Sequence, residues 1–276
     1  MATKPIKQST SKTKYENNPF FIASNGITLL FNLARGVAIM LLAFAIINLF
    51  TRGGERNSDD PNKMWNDVAN TVAPWSFNDW ALAIGSGAII GLALVMISAL
   101  FGGVAAYTSY KLSQGEKVKL SEAFRVAFDN LWGYIWLQII IFVKIVLWSL
   151  LLVVPGIIMA FRYSLANVAF FDERKEFRGD AAVKESLRLT KGAWITTFGS
   201  NMLFNFLSLG VLSAIVSTGV NAVLYRQFGD LGDKKKPEAH WLSWVTLALP
   251  FILMIFAFMF VLAFLAGIAF GYKVSE

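Results

Sequence analysis

The chain has 276 residues, of which 56% are hydrophobic and 16% charged, and it carries a formal charge of +7. Soluble domains hold nearer a quarter charged residues; here the apolar excess collects in runs of about 20 residues, the length that crosses a hydrocarbon core of roughly 30 Å. Cysteine is absent and His240 is the single histidine, which excludes disulfides, cysteine nucleophiles, serine–histidine triads and multi-histidine metal centres.

In chain order, residues 1–18 are rich in Lys, Ser, Thr and Asn without apolar periodicity and read as a disordered basic tail. Residues 19–276 read as a single transmembrane helical domain. The first long apolar run begins only after Phe20 and has no small-residue cleavage site behind it, so it is expected to stay as a span. That span lies within Ile27–Phe50, entered through an interfacial segment and interrupted by Asn32 and Arg35. A polar loop over 51–80 leads to a second span, Ala81–Tyr110. Leu120, Phe124, Ala127, Phe128 and Leu131 then recur at helical spacing behind a candidate N-cap, Ser121.

The third span is Trp132–Val154, ended by Pro155-Gly156. The fourth, Ile157–Phe171, is short for a crossing, so a re-entrant hairpin made with the third span competes with two full crossings. Asp180 is placed to cap an amphipathic helix with Val183, Leu187, Thr190 and Trp194 on one face. Lys184, Glu185, Arg188 and Lys191 lie on the other. The fifth span is Ile195–Leu224, long enough to tilt or bend near Gly210, and the last is Trp241–Tyr272, with a kink expected at Pro250. The fold class is therefore an all-α polytopic bundle of about six spans, arranged as three helix pairs, each preceded by an interfacial segment.

Most Lys and Arg fall on the side of the N-terminus, which predicts both termini in the cytoplasm of a bacterial inner membrane. The Lys234–Lys236 run, assigned to the outer side, breaks that pattern. Trp80, Trp132, Trp148, Trp194 and Trp241 sit at span ends as interfacial anchors. The dispersed charge does not form the basic face of a nucleic-acid binder.

Small residues at four-residue spacing (Ala83, Gly87 and Gly91; Ser98, Gly102 and Ala106; Ala263, Gly267 and Gly271) predict close helix packing. Arg35, Lys144 and Arg162 are cations within apolar spans, and the spans themselves contain no Asp or Glu. A charge at mid-membrane costs roughly 2.5–3.5 kcal/mol on insertion scales. These three therefore need carbonyls, amides, water or an anion, and they form the candidate polar or anion site. The alternative is that Lys144 and Arg162 snorkel or bind helix-end carbonyls. No catalytic, cofactor or metal site is expected.

The segment PGIIMAFRYSLANVAFFDE, followed by AAVKESLRLTKG, resembles the membrane domain found fused to some bacterial glycerophosphoryl diester phosphodiesterases and its free-standing relatives. The matching residues are Pro155, Gly156, Ile157, Arg162, Asp172 or Glu173, Ala182, Ser186, Leu189 and Gly192. The resemblance implies a six-span inner-membrane bundle without the soluble phosphodiesterase barrel. The expected function is a non-enzymatic membrane scaffold or lipid-associated module whose partners are membrane lipids, anionic ones among them. A transporter or channel subunit with an anion or headgroup site at Lys144 and Arg162 is the alternative. A lipid enzyme using Asp172, Glu173 and Glu176 comes third.

Overall fold

The computed structural model describes residues 15–53, 76–173 and 178–273. Most of the N-terminal tail, residues 54–75 of the first polar loop, and Glu176 lie outside them. Every element among the described residues is helical. Ile84–Ser113 and Leu131–Leu151 are each long and apolar enough to cross a membrane, and a bent helix pair at the start supplies a third candidate.

Helix α1 (Pro19–Leu33) starts where its sequence dictates: proline fills the first position and the Asn18 side chain accepts the Phe20 N–H at 3.0 Å. One face of it, with Phe20, Phe21 and Phe31, is exposed, and the other is packed. It buries Ile22, Ala23, Gly26 and Leu30, and the chain then turns through 116° into α2 (Arg35–Gly53). Helix α3 (Phe77–Ser113) has 37 residues. The first amphipathic elbow is α4 (Leu120–Asp129), with Lys119 at its N-cap position rather than Ser121. Then come α5 (Leu131–Leu151), α6 (Val153–Tyr163), the short α7 (Ala166–Phe170) and the second elbow, α8 (Asp180–Leu189).

The expected fifth span is divided. It forms α9 (Trp194–Leu207) and α10 (Ser213–Leu231), joined by a turn in which Leu209 (φ 50°) and Gly210 (φ 78°) are left-handed. The bend expected near Gly210 is thus a full break between two shorter helices. Asn201 on α9 reaches Asn221 on α10 at 3.5 Å, so the two helices run antiparallel. The following loop therefore comes back to the elbow: Arg188 of α8 pairs with Asp233 at 2.8 Å, and the Asn17 side chain donates to the Glu238 carbonyl at 2.9 Å. The Lys234–Lys236 run thus stands with the other cations rather than opposite them. Lys236 is itself buried, its Nζ over the Phe228 ring, and that burial pushes its pKa down. Helix α11 (Trp241–Lys273) is the last element.

The base of the molecule is a packed core around Ile22, Leu30, Leu112, Leu165, Leu189, Leu224 and Phe228, all fully buried. Gly26 of α1 and Gly219 of α10 meet backbone to backbone; a Cβ on Gly26 would lie 2.7 Å from the Gly219 oxygen. Ser109 of α3 donates to the Thr218 carbonyl at 2.8 Å, and Tyr107 donates to Glu122 of α4 at 2.7 Å.

From this base, apolar helices project on one side. Phe44 of α2 stacks on Phe101 of α3, and Phe161 of α6 meets Phe198 of α9 with ring centroids 4.7 Å apart. The α9–α10 turn stands level with Phe44, Ala45 and Leu49 of α2. Large apolar side chains on these projections are exposed: Ile84 to Ile97 along α3, Leu150 to Leu152 at the α5–α6 turn, Leu207 and Leu209, and Ile255 to Leu262 on α11.

Candidate functional site

The α5–α6 hairpin is built by three residues. Leu152 is extended (φ −164°, ψ 143°) and separates the helices. Pro155 follows in the first turn of α6, where a missing N–H costs little. A Cβ at Gly156 would strike the Ser149 side chain, so glycine here lets α6 lie against α5.

The hairpin delivers Arg162 to the second elbow. Ser186 and Thr190 of α8 donate their hydroxyls to the Arg162 carbonyl at 2.6 and 3.2 Å, while Arg162 Nη2 donates to the Leu187 carbonyl at 3.4 Å. Arg162 and Ser186 of the sequence motif thus meet directly. At the other end of α8, Asp180 accepts Lys144 of α5 at 2.9 Å and Lys184 at 3.0 Å. Two expectations change here. Lys144 does have an acidic partner, supplied by an elbow outside the span. Asp180 is the first residue of α8, after Gly179 at the N-cap position, and bridges two lysines instead of capping.

Lys144 and Arg162 therefore grip opposite ends of one helix, seven residues apart on α8, or roughly 10 Å at 1.5 Å per residue. The carbonyl-binding alternative describes Arg162, and an ion pair describes Lys144. The amides expected to serve these cations pair elsewhere: Gln138 donates to Asn167 at 2.8 Å, and Asn205 to the Asn201 carbonyl at 2.6 Å.

The Lys144 contact, with Lys184 second, holds the Asp180 carboxyl below its ordinary range. Its folded pKa is depressed, so the stabilisation is complete above the unfolded value, about 3.9, and is lost as pH falls through the folded value. Both side chains are more than a third exposed, and such pairs contribute about 1 kcal/mol or less. Lys144→Met should accordingly lower the melting temperature only slightly at pH 7. The difference from the parent chain should shrink as pH falls below the unfolded value and on through the depressed folded one. A large drop at neutral pH would contradict this account.

Of the remaining motif residues, Asp172 is buried and accepts the Tyr225 hydroxyl at 2.7 Å, tying the end of α7 to α10. Gly192 (φ 76°) supplies the left-handed step between α8 and α9. Arg35 lies apart from the other two cations. It opens α2 and lines a cavity of about 620 Å³ with Asn32, Gly36, Lys117, Lys119 and Leu120. Lys117 and Lys119 count among the inner-side cations in sequence, but the Lys-Val-Lys step just ahead of an amphipathic helix does not by itself join them to Arg35.

The small-residue stripes divide in the same way. Gly102 packs on Tyr134 and Gly103 on Ala127, whereas Gly87 and Gly91 face open space. Ala83, Ala263, Gly267 and Gly271 lie outside the described side chains. A third charged cluster was missed: Arg188 binds Glu185 through Nε and Nη2 at 2.8 and 2.7 Å, and Glu185 is buried instead of facing outward. No protein-family model, characterised protein or solved structure matches the chain.

Proposed function

We propose that the chain is a non-enzymatic, lipid-associated scaffold of a bacterial inner membrane. The apolar surface presented all along Ile84–Ile97 and at both hairpin tips carries this reading. A monomeric soluble surface rarely exposes so much contiguous hydrocarbon, and lipid is the solvent that removes its cost. The motif around Pro155-Gly156, Arg162 and Ser186 supports kinship with the membrane domain associated with phosphodiesterases.

The proposed topology has α2, α3 and α11 crossing while the α5–α6 and α9–α10 hairpins dip into one leaflet. The Lys144–Asp180 pair supports it. Beyond Lys144, α5 continues for seven residues to its end at Leu151, about 10 Å of helix against a core of roughly 30 Å. Trp132 and Trp136, exposed on the first half of α5, suit the headgroup layer. With the base inside, Lys234–Lys236 joins the inner cations. Helix α11, with 33 residues and about 50 Å of length, ends on the outer face.

The natural absence of cysteine makes the test direct. In intact inside-out and right-side-out vesicles, Leu151→Cys should resist a membrane-impermeant maleimide from both faces, while Thr51→Cys should react from outside only. Labelling of Leu151→Cys from outside would restore two full crossings. In proteoliposomes, anion efflux should match protein-free vesicles; efflux above that level would favour a transporter acting at Lys144 and Arg162.

A further inference from the structure

We infer that the cavity where α2 and α4 begin binds a phosphate-bearing anionic headgroup, an assignment that rests on the lipid-associated reading above. Its charge is one-sided: Arg35, Lys117 and Lys119 line it, Asn32 is the other polar residue in the wall, and no acid is among the lining residues. Among the described residues none of the three cations has an ion-pair partner. The nearest sequence acid, Glu116, is engaged by Lys111 at 3.1 Å, and Lys111 also reaches Glu173 at 3.8 Å.

The walls are fixed. The Val118 N–H donates to the Leu33 carbonyl at 2.9 Å, which pins the 114–119 loop to the end of α1. A Cβ on Gly36 would sit 3.1 Å from the Leu120 Cβ, so glycine there lets the first turns of α2 and α4 come together. Two helix N-termini thus open beside the cations, and the α4 N-cap makes no side-chain hydrogen bond to its own first turn. The end of α1 at Leu33 and Glu122 in the first turn of α4 offset the dipoles of these N-termini, so the three side-chain cations carry the positive potential. Ile39 and Leu42, exposed on α2 just beyond Arg35, offer acyl chains a surface continuous with the cavity. A volume of about 620 Å³ falls within the ordinary range for small-ligand sites, roughly 300–1,000 Å³.

The test is native mass spectrometry of the full chain in detergent, titrated with phosphatidylglycerol or with phosphatidylcholine of the same acyl chains. The key variant combines Arg35→Gln, Lys117→Gln and Lys119→Gln, with Lys144→Gln as control. Each cation near an anionic lipid surface contributes about fivefold, so the triple variant should lose phosphatidylglycerol affinity by about a hundredfold. Phosphatidylcholine binding and the control should be unchanged. If the triple variant melts abnormally, the Arg35→Gln/Lys117→Gln pair leaves the α4 N-cap residue intact and should lose about 25-fold. Phosphatidylglycerol bound equally by parent and variants overturns the cavity and leaves the lipid-associated reading standing. Neither lipid bound by the parent overturns both. Inorganic phosphate bound without any lipid preference, and lost in the triple variant, supports the phosphate chemistry but assigns it to a soluble ligand.

Discussion

Gly219→Val should lower stability by about 3 kcal/mol or more and release α1 from the bundle. At this crossing neither helix has a side chain to yield: a Cβ on either glycine falls on the backbone of the other, and one on Gly26 also lies 2.8 Å from the Val220 nitrogen. Overpacking a core ordinarily costs about 1–3 kcal/mol when side chains can move aside. Here the helices themselves must separate, which loosens Ile22, Ala23 and Leu30 from α10. Gly26→Val should behave alike. The contrast is Gly91→Ala, whose new methyl meets open space and which should gain up to about 1 kcal/mol from helix propensity. Thermal melts of the three variants in one detergent would decide the matter. A Gly219→Val protein as stable as the parent would mean that the two helices do not touch.

Arg188→Ala should cost about 2–3 kcal/mol. Glu185 is 7% exposed and receives two hydrogen bonds from this one guanidinium. Removing the arginine takes both of these charge-assisted hydrogen bonds from a buried carboxylate, a change worth about 3–5 kcal/mol when the pair broken is fully buried. The arginine is 36% exposed, which places the expectation below that range. Glu185 contributes most to holding the guanidinium charged, with Asp233 second. Arg188→Lys should recover only part of the loss, because an ammonium cannot reproduce the planar fork. Asp233→Asn should be close to neutral, since that carboxylate is exposed. Urea or thermal unfolding, with the Glu185→Gln/Arg188→Met double variant to restore neutrality, separates the pair from either partner.

The sequence made legible what depends on local pattern. Helical spacing located the starts of both elbows, α4 and α8, within a residue or two, but carried the second on to Trp194, which opens α9 five residues past the end of α8. Pro155-Gly156 located the hairpin, although the break itself falls at Leu152, because proline is welcome in a first turn. What escaped depends on partners distant in the chain. Asn32, Arg35 and Gly210 mark where two apolar runs break, but not that the chain turns through 116° at the first and reverses between two helices at the second. Lys144 was thought to lack an acid because its own span holds none, yet Asp180 reaches it from an elbow. The glycines that matter for packing, Gly26 and Gly219, stand outside any four-residue stripe, while Gly87 and Gly91 stand in one and touch nothing. Spacing reports which face a residue occupies, and only the fold says what that face meets.

The Gly26–Gly219 crossing also sets a clock on biogenesis. The helix that needs α10 leaves the ribosome about 190 residues before that partner is made. At roughly 5–20 residues per second, α1 waits on the order of 10–40 s with Ile22, Ala23 and Leu30 uncovered. Through that interval something other than its native neighbour must shelter the helix, whether bilayer or insertion machinery.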